Sequence, residues 1–257
     1  MKKQDVSGFE LRLAHSETDL RGAERLRYKV FVEELGGDGA LVDHAGRFER
    51  DQFDAHMDQL ILVDLSRDAS EFEHVVGVYR LLRDDQVEQP GRFYSEAEYD
   101  LTPLKSSGRK LLELGRSCVD IGYRGGTAMF QLWQGLAAYV SEHRIEVLFG
   151  VASFHGTEPK GFSHALSNLH HAHLAPPDLR PRSKVFEPMD LLRPDQVDRP
   201  RAMKDTPALI KAYLRLGGVI GEGAYIDHAF NTVDVCLVLD TARMPAKHRD
   251  IYTRARR

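Results

Sequence analysis

The stretch Lys110-Leu-Leu-Glu113-Leu-Gly115-Arg116-Ser117-Cys118-Val119 decides how this chain is read. Its length and its apolar positions 111, 112, 114, 118 and 119 predict a buried strand. Two charges, Glu113 and Arg116, interrupt it. A charge taken from water must be paired or serve a purpose. In a regular strand, residues three apart face opposite sides of the sheet. A bulge at Gly115 would bring both charges to one face and splay this strand from its neighbour. Such a splay offers strand edges to an extended ligand.

Moving toward the N-terminus, residues 74–82 and 60–65 predict two more strands, and 9–15 alternates as a first one. Ser16 with Asp19 three residues on forms a partial capping box. Leu20, Ala23, Leu26, Val30 and Phe31 then recur at helical spacing until Gly36-Gly37 stops the helix. Toward the C-terminus, a helix is expected at 127–143, with Met129, Trp133, Leu136 and Val140 on one stripe, then a strand at 146–153 and a short helix at 160–170. Seven of the 11 prolines lie from Pro176 to Pro207, so about 174–206 reads as an irregular insertion without a core of its own. A helix at 207–217 and strands at 219–226 and 232–239 close the chain. The order is that of an α/β or α+β protein with a mixed sheet, and the expectation is a single domain, residues 1–257, carrying that insertion.

Composition sets the outer limits. The chain has 257 residues, 42% apolar and 29% charged, as in ordinary globular proteins. A net charge of −4 gives no global attraction to nucleic acid. The N-terminus lacks the apolar stretch of a signal peptide and no run is long enough to span a bilayer, so a cytoplasmic protein is expected. Cys118 and Cys236 read as small apolar filler on strands. His164, His170, His171 and His173 have no Cys or acidic partner at a usual ligand spacing, so no metal is expected.

Further charges sit where charges are costly. Arg27 lies three and four residues from Val30, Phe31 and Ala23, toward the core side of its helix. Arg80 shares a strand face with Val76, Val78 and Leu82. An acidic stretch, Asp51-x-x-Asp54-x-His56-x-Asp58, precedes the second strand. It reads either as a solvated turn or as a pocket for an amine whose proton a carboxylate accepts. Tyr123-Arg124-Gly125-Gly126-Thr127 precedes a helix and could cradle a phosphate on backbone N–H groups. The ending Arg254-Ala-Arg-Arg257 reads as a frayed basic tail, with contact to an anionic lipid surface as the alternative.

Taken in order, Arg27-Tyr-Lys-Val-Phe31, Asp51-x-x-Asp54, Tyr79-Arg80-Leu-Leu82 and Leu112-Glu113-Leu-Gly-Arg116-Ser-Cys-Val119 resemble the acyl-homoserine-lactone synthases. The chain is more similar to the L-ornithine Nα-acyltransferases of bacterial ornithine-lipid synthesis, through Gly91-x-Phe-Tyr-Ser95-Glu, Gly150-Val-Ala-Ser153-Phe, Pro207-Ala-Leu-Ile-Lys-Ala-Tyr-Leu-Arg-Leu-Gly217 and Asp227-x-x-Phe-Asn-Thr-Val-Asp234-Val. The resemblance implies a GNAT-like fold, a mostly antiparallel sheet flanked by helices with a splayed or bulged fourth strand. It implies acyl transfer from acyl carrier protein to the α-amine of L-ornithine, giving the lyso form of the lipid. No cofactor is held permanently; the acyl-phosphopantetheine of the carrier is a co-substrate. The turn at Arg124, Gly125, Gly126 and Thr127 departs from the pyrophosphate-gripping pattern of acetyl-CoA enzymes, as suits the single phosphate of phosphopantetheine. Carrier protein is acidic and would dock on basic residues, with Arg124, Lys160, Arg180, Arg182, Lys184 and Arg215 as candidates. Glu113 is the expected base, with Asp51 or Asp54 next. Backbone N–H near Ser117 or Cys118 would stabilise the oxyanion. Arg27, Arg80 and Arg116, with Phe31 and His56, would hold the substrate or order the acidic loop. The alternatives are an autoinducer synthase, an acyltransferase acting on another amine, and a non-catalytic module that binds carrier protein or lipid. Peripheral contact with the inner membrane is compatible with the first function.

Overall fold

The computed structural model describes residues 4–6, 8–125 and 127–244. In chain order its elements are β1 (Gln4–Val6), β2 (Phe9–Leu13), α1 (Glu17–Arg27), β3 (Asp58–Asp64), β4 (Val75–Arg83), β5 (Tyr99–Asp100), α2 (Thr102–Lys105), β6 (Leu111–Val119), α3 (Ala128–His143), β7 (Val147–His155), α4 (Ser163–His173), β8 (Arg182–Ser183), α5 (Arg199–Asp205), α6 (Ala208–Arg215), β9 (Val219–Ile220), β10 (Tyr225–Asp227) and β11 (Thr232–Asp240). This is a mixed α/β fold whose strands pair mostly antiparallel. The described residues fall into two compact units, one running to Gly91 and resuming over Leu114–Arg144, the other formed by Arg92–Glu113 and the residues from Ile145 on. The unit boundary therefore passes through β6, just after Glu113.

In the first unit β1, β2, β3 and β4 pair antiparallel in chain order, and β6 neighbours β4. Helix α1 starts on the expected box: Asp19 N–H donates to Ser16 Oγ at 3.1 Å, and the Asp19 carboxylate accepts from the Ser16 N–H. Past Arg27 the helix continues as a π-helical segment, Tyr28–Glu34, and Gly36 ends it at φ +74°. Apolar spacing predicts one helix here and does not reveal the wider turn. Ala23, Leu26 and Val30 bury their side chains with Ile61, Val63, Val75, Val78 and Cys118, and Phe31 packs partly buried against them. Helix α3 covers β3 and β4 closely. A Cβ on Gly135 would stand 2.7 Å from Leu11 Cδ2, and one on Gly77 would stand 2.8 Å from Leu132 Cδ1. A side chain at either position would force those leucine methyl groups to move.

In the second unit the first three residues of β6 run parallel to β7, with Glu113 opposite Phe149. Strand β7 pairs antiparallel along its length with β11, which also takes β9 and β10. The strand expected over 219–226 is two short pieces, because Gly221 to Ala224 lie between them and Gly223 turns at φ +77°. The proline-rich stretch belongs to this unit and is not without structure. It holds α5 and β8, which pairs with β5. Cys118 and Cys236 are both buried thiols. Among the described residues no helix is long and apolar enough to cross a membrane. The basic ending from Arg254 to Arg257 lies outside the described residues.

Candidate active site

Arg27 closes α1 with its side chain wholly buried. Nη1 donates to Asp54 Oδ1 at 2.6 Å and Gln59 Oε1 at 3.3 Å. Nη2 donates to Asp54 Oδ2 at 2.8 Å and to the Glu49 carbonyl at 2.6 Å. Nε stands 2.7 Å from Glu49 Oε2. Both Nη groups are thus committed to this chain, while among the described residues Nε makes an ion contact with Glu49 but no hydrogen bond. Arg80, also wholly buried, places Nη1 2.7 Å from Asp51 Oδ1 and 3.3 Å from Asp54 Oδ1. Arg116 donates from Nε to Glu49 Oε1 at 3.0 Å and reaches Asp51 Oδ2 at 3.5 Å. Its guanidinium lies over the Phe31 ring, 5.8 Å from the centroid. Three guanidinium groups therefore face three carboxylates.

The electrostatics follow from that pairing. Burial alone would push the Asp54 carboxyl up, but the charge and hydrogen bonds of Arg27, with Arg80 behind it, hold it well below the usual carboxylate range. Glu49 is likewise penalised by burial and brought down by Arg27, Arg116 and Arg80. Of the three acids Asp51 is the most open, at 19% side-chain exposure against 12% for Asp54 and 1% for Glu49. Asp51 N–H donates to Asp54 Oδ2 at 2.8 Å, and Phe53 N–H to Asp51 Oδ1 at 2.8 Å. His56 lies half-buried in the same turn, outside these ion pairs.

Both oxygens of Asp54, a candidate proton acceptor in the sequence, accept from Arg27. Arg27, a candidate either for the substrate carboxylate or for ordering the acidic loop, directs both Nη groups into that loop. Glu49 and Gln59 did not stand out in the sequence. Glu49 sits in a charged segment, and its burial depends on a backbone bond from its N–H to the Glu24 carbonyl at 3.1 Å.

Strand β6 carries the remaining expected groups. The backbone departs from strand geometry at Arg116, φ +47°, one residue after the glycine expected to do so. Glu113 is 1% exposed. Its Oε2 accepts from Tyr94 N–H at 2.7 Å, and its Oε1 from Ser95 N–H at 2.6 Å and Ser95 Oγ at 2.5 Å. The carboxylate thus anchors the 3₁₀ turn Tyr94–Ala97. Ser117 is half-buried, with an enclosed Oγ that has no hydrogen-bond partner. The Cys118 side chain belongs to the core, where burial pushes its thiol up, so only its backbone is available to a ligand.

The turn before α3 is differently engaged. Arg124 donates from Nε to the Val119 carbonyl at 2.9 Å and grips both oxygens of Glu34, with Nη2 to Oε2 at 2.8 Å. Gly125 adopts φ +79°. Thr127 is exposed, its hydroxyl 3.4 Å from Gln131 Nε2. Gly126 lies outside the described residues. Among the basic docking candidates, Arg182 pairs with Glu222 at 2.7 Å and Arg180 Nε donates to the Ala175 carbonyl at 2.6 Å.

Among the described residues, the second unit also brings three acids together. Carboxylate oxygens of Glu98, Asp227 and Asp234 lie within 4.8 Å of one another. Glu98 and Asp234 are buried and Asp227 is half-buried.

Residues 26–134 match a family described as an acetyltransferase (GNAT) domain. A protein of Rhodobacter capsulatus named L-ornithine N(alpha)-acyltransferase is 55% identical over 246 residues, covering 96% of this chain and 95% of that one. Among solved structures, FeeM, described as an N-acyl amino acid synthase from uncultured soil microbes, superposes with a TM-score of 0.52 at 11% identity, covering 94% and 93% of the two chains. The acyl-homoserine-lactone synthase LasI gives a TM-score of 0.52 at 16% identity, covering 96% of each. The two structures speak for the fold. The identity maintained across nearly the whole length of both sequences means that this chain belongs to the L-ornithine Nα-acyltransferase family.

Proposed function

We propose that this protein moves a 3-hydroxy fatty acyl group from acyl carrier protein to the α-amine of L-ornithine, releasing lyso-ornithine lipid and free carrier. The observation that carries this reading is the 55% identity, over 95% of its length, to an enzyme named for that acceptor. The chemistry needs an amine lone pair, so the ammonium must first lose a proton. Glu113 takes that proton, directly or through one water. Asp51, the most open acid of the arginine cluster, is the second candidate. The nitrogen then bonds to the thioester carbonyl carbon, and the C–S bond breaks as the tetrahedral oxyanion collapses. Phosphopantetheine leaves as its thiol, taking up the proton that the nitrogen sheds on forming the amide, and the proton first taken by the base passes to solvent. A backbone N–H of β6 at Ser117 or Cys118, just past the left-handed Arg116, stabilises the oxyanion.

Arg27 and Arg80 act by fixing the loop that carries Glu49, Asp51 and Asp54. Arg116, less buried, is the arginine suited to meet a substrate carboxylate. The turn at Arg124, Gly125, Gly126 and Thr127 takes the phosphate of phosphopantetheine, for which Glu34 must release Arg124. The work is done in the cytoplasm, with the product handed to the inner leaflet. The test is incorporation of radiolabelled ornithine into extractable lipid, with 3-hydroxyacyl carrier protein and the matching acyl-CoA as rival donors. Label entering lipid from the carrier donor supports the assignment. Incorporation from acyl-CoA alone would overturn the donor, and none from either would overturn the function.

A further inference from the structure

Strand β6 resumes extended backbone after Arg116, and this fixes which of its donors faces away from β4. The Asp120 N–H donates to the Val76 carbonyl of β4 at 2.9 Å. Peptide groups alternate between the two edges of a strand. The Cys118 N–H therefore points toward β4, as that of Asp120 does. Ser117 and Val119 present their N–H and carbonyl groups to the opposite edge. The Val119 carbonyl accepts there from Arg124 Nε at 2.9 Å. Among the described residues the ladder of β6 with β7 ends at Glu113. Of the two N–H groups that could meet an oxyanion, that of Ser117 is thus the one turned away from β4.

The Ser117 side chain adds a second, independent observation. Side chains alternate along a strand, so Ser117 points away from the face on which Cys118 packs with Ala23, Leu26 and Val30. Its Oγ is enclosed and has no hydrogen-bond partner among the described residues. An enclosed hydroxyl in that state costs stability, so it calls for a partner that the chain itself does not provide. In two of its three staggered rotamers a serine Oγ stands about 3 Å from its own nitrogen. Rotation about χ1 alone brings the O–H onto an oxygen that the N–H of the same residue holds.

We propose that Ser117 is a catalytic residue that supplies two donors to the oxyanion, its backbone N–H and its hydroxyl. As the amine nitrogen bonds to the thioester carbon, the carbonyl oxygen gains a full negative charge. Two donors fixed to one Cα meet that charge with little reorganisation. The hydroxyl keeps its proton, and no bond to Ser117 forms or breaks. When the C–S bond breaks, the charge leaves the oxygen and both hydrogen bonds weaken. A contact that strengthens only in the transition state raises kcat and leaves KM nearly unchanged. The inference rests on the proposed acyl transfer.

The test is steady-state kinetics with 3-hydroxyacyl carrier protein and L-ornithine, together with thermal unfolding, on wild type, Ser117→Ala, Ser117→Cys and Ser117→Thr. Ser117→Ala should lose about 10²-fold in kcat, with KM for both substrates within about twofold of wild type. Its Tm should not fall, because the deleted hydroxyl has no partner to lose. Ser117→Cys keeps the size but offers only a weak S–H donor, so it should behave like Ser117→Ala. Ser117→Thr keeps the O–H and should recover at least about tenfold over Ser117→Ala. A kcat for Ser117→Ala within about threefold of wild type would overturn the hydroxyl as a donor. So would a Tm lowered by more than about 5 °C alongside the loss of kcat, the mark of a structural role. A Ser117→Thr variant as stable as wild type and no faster than Ser117→Ala would overturn it as well. A higher KM for the carrier donor at unchanged kcat would reassign Ser117 to donor binding. Wild type that forms no acyl-ornithine would sink the reaction on which the inference rests, an outcome distinct from an active enzyme indifferent to Ser117.

Discussion

Two groups of acids in this molecule behave as opposites. In the first unit Glu49, Asp51 and Asp54 are matched by Arg27, Arg80 and Arg116 at contact distance. In the second unit carboxylate oxygens of Glu98, Asp227 and Asp234 lie within 4.8 Å of one another. The first arrangement answers its own desolvation and fixes a loop against a helix. The second gathers like charge, so removing one charge there should stabilise where removing one from the first destabilises. The charge balance of each group thus sets the sign of a substitution.

The sharpest way to break this contrast is Arg27→Met. It leaves Glu49 and Asp54 buried without their main partner, and unfolding by urea should show a loss of about 3–5 kcal/mol. A loss below about 1 kcal/mol would mean that the cluster does not organise the unit. Next in size is Glu113→Gln, which should lower turnover by about 10²–10⁴-fold while thermal unfolding remains cooperative. Full turnover in this variant would remove Glu113 as base and move attention to Asp51.

Acid should act on the first unit in a defined direction. The Asp54 and Glu49 carboxyls are held low in the folded protein, so in the window below their ordinary values the unfolded chain binds more protons. The stability they contribute is complete above roughly pH 5, and is lost as pH falls through the folded values. Asp54→Asn should be less stable than wild type at neutral pH, and the difference should shrink in acid. A constant difference from pH 7 to pH 3 would contradict the pairing. The smallest effect expected is at Asp227. Asp227→Asn keeps an oxygen for the Ala229 and Phe230 N–H groups and removes one like charge, so the ligand-free protein should gain about 0.5–1 kcal/mol. A loss of stability there would erase the contrast with Arg27.

The same contrast explains what the sequence disclosed. Glu113 and Arg116 were legible because each interrupts an apolar run, and Arg27 and Arg80 because each falls on a buried face. Ser16 and Asp19 named their own helix start. Glu49 was silent, since burial of a loop residue depends on distant chain, here the Glu24 carbonyl. Apolar spacing could not separate the π-helical turn at Tyr28–Glu34 from ordinary helix. The left-handed residue fell at Arg116 rather than Gly115, because glycine permits that conformation without requiring it. The proximity of Glu98, Asp227 and Asp234 was invisible for a further reason: it joins segments more than a hundred residues apart in the chain.

The most direct test of acyl transfer to ornithine is product mass spectrometry. Purified protein is incubated with 3-hydroxyacyl carrier protein and an equimolar mixture of amino acids. The expected result is a single dominant product with the mass of 3-hydroxyacyl-ornithine, acylated on the α-nitrogen by fragmentation. A dominant acyl adduct of any other amino acid, or an acyl lactone, would contradict the assignment.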